Sequence, residues 1–163
     1  LTMAKGLTNA TVPMSAVAVR SEIYDMFMQG PPNMIELFHG YTYSAHPLAC
    51  AAGLATIEVF LEDDLFSRSK DLAATWERAL HSLKGLPNVI DIRNIGLMGA
   101  VELEPRENVP TARAFDFYLA CYEKGLLVRQ TGDVIAMSPP LIVSEKQINE
   151  IINILGDCIS ATD

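Results

Sequence analysis

Between Pro47 and Glu62 the chain reads PLACAAGLATIEVFLE, a stretch with no charge before Glu58. Pro47 suits the first turn of a helix, where its missing N–H removes no hydrogen bond. Ala49, Ala51, Ala52, Gly53 and Ala55 keep the surface low, so another backbone can come close. A helix without a polar face has nothing to turn toward water. It is therefore expected to be covered on most sides, as at a domain or subunit interface. It is also shorter than the roughly 20 residues that a bilayer core demands, and no longer apolar run occurs.

The stretch that follows has another character. From Leu65 to Leu83 the pattern is amphipathic, with Leu72, Trp76 and Leu80 on one face and charges on the other. The change near Asp63 and Asp64 marks a boundary, which gives residues 1–62 and 63–163 as two units. Beyond Gly85 and Pro87 the hydrophobic period drops to two, and Val89–Arg93 and Leu97–Leu103 read as strands separated by Gly96. A helix from Thr111 to Lys124 ends at Gly125, a natural stop residue. Two short strands, Leu126–Arg129 and Val134–Met137, flank a turn at Thr131-Gly132-Asp133. Ser144 caps a last helix with Ile148, Ile151, Ile152 and Leu155 on its apolar side, and Glu145 places a negative charge in the favourable first turn. These hundred residues predict an α+β unit with a small antiparallel sheet.

Ahead of Pro47, Leu1–Ala4 reads as the end of a strand and Val12–Val19 as a buried strand. Ser21 is expected to cap a short helix that carries Ile23, Tyr24, Phe27 and Met28, before Gly30, Pro31, Pro32 and Asn33 break it. An opening in mid-core leads us to expect that the chain is the back part of something longer.

The formal net charge of -8, without a basic cluster, excludes nucleic acid as an expected partner. No membrane span or signal peptide is visible. The three cysteines, Cys50, Cys121 and Cys158, are odd in number and widely spaced. They read as buried thiols of a reducing, cytoplasmic compartment, and no spacing points to a metal site.

Three residues carry a choice between a bland reading and a chemical one. Lys5 is either a solvated surface lysine or a Schiff-base lysine, held rigidly at a strand end beside the small loop Gly6-Leu7-Thr8-Asn9-Ala10. Thr42, in HGYTYSAHP, belongs to an ordinary turn or to a phosphate-binding turn ahead of a helix. Arg129 is a surface arginine, paired for instance with Asp133, or a planar fork for a substrate carboxylate.

AKGLTNATVPMSAVAV and ELFHGYTYSAHPLACAAGLA resemble the class III pyridoxal-phosphate aminotransferases, and more closely their ω-amino acid (β-alanine):pyruvate branch. The resemblance implies an α/β chain of the fold-type I PLP-dependent transferases. Residues 1–62 then end the large cofactor domain and 63–163 form the C-terminal small domain. It implies that Lys5 binds pyridoxal 5'-phosphate as a Schiff base and later shuttles a proton. It implies that Thr42 reaches the cofactor phosphate of a neighbouring subunit, hence a homodimer or homotetramer with Phe38, His39, Gly40 and Tyr41 shaping the loop. Arg129 would bind the carboxylate of an amino or keto acid and swing away for other substrates.

The implied reaction is a ping-pong transfer from an ω-amino acid or amine to pyruvate by way of pyridoxamine phosphate. In this family the acid at the pyridine nitrogen, an aromatic plane and a second phosphate turn lie upstream of the lysine. A chain without them is expected to be weakly active or inactive alone. Ala10 and Ala45 stand where many members carry glycine, and a shift of local backbone is expected there. The alternatives are another class III enzyme, of the ornithine, 4-aminobutyrate or diaminopelargonate type or an aminomutase, and a non-catalytic fragment.

Overall fold

Helix α3, Leu65–His81, lays Trp76 and Leu80 against a four-stranded sheet, and this contact organises the larger of the two units into which the chain divides. The computed structural model describes residues 1–34, 37 and 39–162, and its units are Leu1–Asp64 and Leu65–Asp163. Glu36 and Phe38 of the second motif lie outside the described residues.

In the second unit the sheet strands are β3 (Val89–Ile95), β4 (Met98–Leu103), β5 (Arg129–Thr131) and β6 (Val134–Met137). Their order is β3-β4-β6-β5, all antiparallel. Helices α4 (Ala112–Glu123) and α5 (Glu145–Ala161) complete the unit. Trp76, Leu80, Phe117, Ile135, Ile148 and Leu155 are each at most 1% exposed. Burial of each such side chain is worth roughly 1.5–3 kcal/mol. The Ser144 cap is present and is a full capping box, with the Ser144 hydroxyl accepting from the Gln147 N–H while the Gln147 side chain answers at the Ser144 N–H.

Two details of this unit correct the sequence reading. Leu126–Val128 are not in a strand, and β5 starts only at Arg129, because hydrogen bonding to β6 begins there. Cys121 and Cys158 are buried, as expected, but Cys50 is exposed. Burial, with Cys158 adding to it, pushes the Cys121 thiol well above its ordinary pKa, so it stays neutral and serves the core.

In the first unit β1 (Thr2–Ala4) pairs antiparallel with β2 (Ser15–Val17), so only three residues of the expected Val12–Val19 strand are extended and paired. Helix α1 spans Ser21–Phe27, and Ser21 is its first helical residue rather than its cap. Helix α2, Pro47–Glu62, starts at Pro47 as expected, yet within this chain it buries only Ala49 and Gly53. Leu48, Leu54, Ile57, Val59 and Leu61 are exposed. Among the described residues, no helix is long and apolar enough to cross a membrane.

Candidate active site

Strand β1 ends at Ala4 in extended conformation, and Lys5 then turns left-handed, with φ 55°. This reversal starts a 3-10 turn over Lys5–Thr8. The Ala10 N–H donates to the Lys5 carbonyl (3.1 Å) and the Thr11 N–H to the Thr8 carbonyl (3.0 Å). The Thr8 hydroxyl, 1% exposed, donates to the Val12 carbonyl at 2.6 Å and ties the turn to the returning chain. Helix α2 closes on this turn through Gly53, where an added Cβ would lie 3.2 Å from Met14 Cε and 3.6 Å from the Leu7 carbonyl oxygen. Lys5 therefore stands on a backbone fixed by hydrogen bonds and packing, while its own side chain is exposed.

The loop before α2 brings a second set of groups to the same place. Lys5, Thr8, Ala10, His39, Tyr41 and Thr42 are among the residues that line one cleft of about 1190 Å³. The volume suffices for a cofactor-sized ligand. Among the described residues, the Lys5 amine and the Thr42 hydroxyl have no hydrogen-bond or ion-pair partner, and no carboxylate lines the cleft. Lys5, Asn9, Ala10, Tyr41 and Ala45 all have φ between 48° and 59°. Such conformations are costly for residues with a Cβ and gather at functional sites.

Ala10 and Ala45 thus stand in the left-handed backbone form that glycine favours, and as alanines they bear strain there. Ala10→Gly and Ala45→Gly are each expected to stabilise the protein by about 0.5–1 kcal/mol. That is the ~1–2 kcal/mol of relieved strain less the ~0.4–1 kcal/mol of added unfolded-state entropy. Denaturant midpoints check this, and a lower midpoint for both variants contradicts it.

Arg129 lies on the second unit, at the start of β5 opposite Ala136. It lines a cleft of about 630 Å³ with Phe115, Tyr118, Leu127 and Met137. Other arginines are engaged: Arg93 with Glu102 and Asp91, Arg106 with Asp116, Arg20 with Glu22, Arg68 with the carbonyls of residues 141–143, and Arg113 with the Glu104 carbonyl. The Arg129 guanidinium has no such partner among the described residues. Asp133 does not pair with it; the Asp133 carboxylate instead accepts the Thr111 N–H at 2.7 Å, ahead of α4.

The structure brings Lys5 and Thr42 to one cleft and leaves Arg129 on the other unit. Sequence reasoning missed the anchoring of the turn by Thr8 and the hold of His39 on Tyr41, in which the Tyr41 N–H donates to His39 Nδ1 at 3.1 Å. A hydroxyl near a loop carbonyl is too common a pattern to stand out in sequence.

Residues 1–159 match the class III aminotransferase family. The chain belongs to that family. This class III aminotransferase chain is 53% identical over 161 residues to the omega-aminotransferase of Caulobacter vibrioides, covering 99% of the chain and 37% of that protein. It is 42% identical to the beta-alanine–pyruvate aminotransferase of Pseudomonas aeruginosa, over 98% of the chain and 36% of that protein. Among solved structures, adenosylmethionine-8-amino-7-oxononanoate aminotransferase from Methanocaldococcus jannaschii superposes with a TM-score of 0.88 at 30% identity, over 99% of this chain and 38% of that one. A PLP-bound amine transaminase from an uncultivated Pseudomonas species gives 0.89 at 27% identity, over 99% and 38%. The architecture is that of the fold-type I PLP-dependent aminotransferases. The chain spans little more than a third of the length of these relatives.

Proposed function

We propose that this chain supplies the C-terminal third of the subunit of a PLP-dependent transaminase that moves an amino group from an ω-amino acid or amine to pyruvate. The observation that carries the proposal is the cleft in which the Lys5 amine and the Thr42 hydroxyl stand together, both unengaged among the described residues. Residues 1–62 then close the large cofactor domain and 63–163 form the small domain.

The donor set fits pyridoxal phosphate: the Lys5 amine to hold the carbonyl carbon of one cofactor, the Thr42 hydroxyl ahead of α2 for the phosphate of the neighbouring subunit's cofactor, and, among the described residues, no carboxylate in the cleft to repel a phosphate. When bound, the cofactor supplies an electron sink. Lys5 holds it and, once displaced by the donor, moves a proton at Nζ. The fixed turn beneath Lys5 keeps that nitrogen in place. Thr42 holds the phosphate of a neighbouring subunit, which makes the working enzyme at least a homodimer and gives the exposed apolar side of α2 an interface to fill. Arg129 receives the substrate carboxylate in a bidentate pair. Unbridged Cys50, Cys121 and Cys158 accord with a cytoplasmic setting.

An assay of the complete subunit with a donor and acceptor panel tests the proposal. Amino transfer to pyruvate is expected, and none to any keto acid overturns the activity. A preference for 2-oxoglutarate assigns the chain to another class III branch. Within the panel, Arg129→Ala is expected to lower kcat/KM for alanine and pyruvate by about 10–100-fold, the worth of a charge-assisted pair, and to leave a simple amine within about threefold. Equal losses on both substrates contradict the role of Arg129.

A further inference from the structure

We propose that His39 is a positioning residue, which accepts the Tyr41 N–H at Nδ1, holds Tyr41 left-handed and so fixes the direction in which the Thr42 hydroxyl is presented to the phosphate. The inference rests on reading Thr42 as a phosphate-binding hydroxyl.

Tyr41 is held at both ends of its backbone. Its N–H donates to His39 Nδ1 at 3.1 Å, and its carbonyl accepts the Ser44 N–H at 3.0 Å. The two rings lie with centroids 4.2 Å apart and planes tilted by 41°. Between them stands Gly40, where an added Cβ would be 3.6 Å from Thr42 Oγ1. The chain thus folds back on itself, with the hydroxyl of Thr42 over the residue that follows His39.

A φ of 48° is unfavourable for an aromatic residue and persists only where surroundings enforce it. The His39 acceptor provides that enforcement. Without it the peptide before Tyr41 is free to relax toward negative φ, and the peptide that leads to Thr42 turns with it. Because Nδ1 accepts, the neutral ring carries its proton on Nε2. His39 itself lines the cleft, but its part is to shape the loop and not to exchange protons.

The geometry separates two conservative replacements. In His39→Asn the amide oxygen takes the place of Nδ1 and can still accept the Tyr41 N–H. In His39→Gln the polar group sits farther out, near the place of Nε2, and cannot. Dissociation constants for pyridoxal phosphate and for pyridoxal, which lacks the phosphate, are measured by equilibrium dialysis on the cofactor-stripped complete subunit, with Thr42→Val alongside.

His39→Gln is expected to weaken pyridoxal phosphate roughly tenfold and to leave pyridoxal unchanged, while His39→Asn stays within about threefold of the parent for both. A purely structural role would weaken both ligands alike. Equal behaviour of the Asn and Gln variants, or parallel loss of both ligands, overturns the inference while Thr42→Val still weakens pyridoxal phosphate selectively. If Thr42→Val has no effect on either ligand, the phosphate reading itself falls, and the role of His39 falls with it.

Discussion

Replacing Lys5 by alanine in the complete subunit is expected to lower kcat by about three to four orders of magnitude, the scale on which a positioned proton-transfer group acts. The exposed amine of Lys5 opens into the cleft and has no partner among the described residues. Among the described residues no carboxylate lines that cleft, and His39 uses Nδ1 to accept a backbone N–H. The loss should fall on kcat far more than on cofactor affinity, since the phosphate would still be held by the Thr42 loop of the neighbouring subunit. A covalent readout completes the test. Borohydride reduction of the parent holoenzyme should leave pyridoxyl on the peptide that contains Lys5, and the alanine variant should carry none. More than about a tenth of parental turnover in Lys5→Ala, or label on another lysine, removes Lys5 from the chemistry.

Gly99→Val is expected to destabilise the protein by about 3 kcal/mol, at the upper end of what forced overpacking of a core costs. Gly99 lies on β4, where α3 crosses the sheet, and an added Cβ would meet Leu80 Cδ2 at 2.5 Å, Trp76 Nε1 at 3.0 Å and Trp76 Cζ2 at 3.2 Å. Neither neighbour can yield easily, because both are fully buried. Either the helix lifts from the strand or a side chain leaves its rotamer. Urea unfolding should show a lower midpoint at similar slope. Truncating the neighbour should relieve the clash, so Gly99→Val with Leu80→Ala should be less destabilised than the sum of the two single variants. A Val variant within about 0.5 kcal/mol of the parent means that α3 does not rest on the strand at this point.

Where the sequence could be read, each clue was local. Pro47 opened a helix, the spacing of Leu72, Trp76 and Leu80 gave a buried face, and Ser144 capped the last helix; all three stand in the structure. The strand before Arg129 was misplaced because Leu126-Leu127-Val128 is apolar enough for a strand, whereas pairing depends on where β6 lies. The sheet order β3-β4-β6-β5 arises from contacts distant in sequence, and no periodicity encodes it. At the candidate site the reactive residue types could be picked out, but their setting could not. Left-handed φ at Lys5 and Tyr41 goes against the preference of both residue types, so only packing and hydrogen bonds around them reveal it. That Arg129 has no partner among the described residues was equally hidden, since Asp133 stands close in sequence and binds elsewhere.

The engagement of Asp133 with Thr111 has a consequence for exchange at Arg129. A guanidinium that already grips a carboxylate of its own chain works like an occupied receptor, and each arriving acid must first expel the resident one. Here Asp133, the acid of the same hairpin, accepts a backbone N–H ahead of α4 and forms no ion pair with Arg129. In the proposed role of Arg129, an incoming carboxylate would then meet no internal competitor from the same hairpin, and a substrate that lacks a carboxylate would face no ion pair among the described residues that must be broken before the side chain moves.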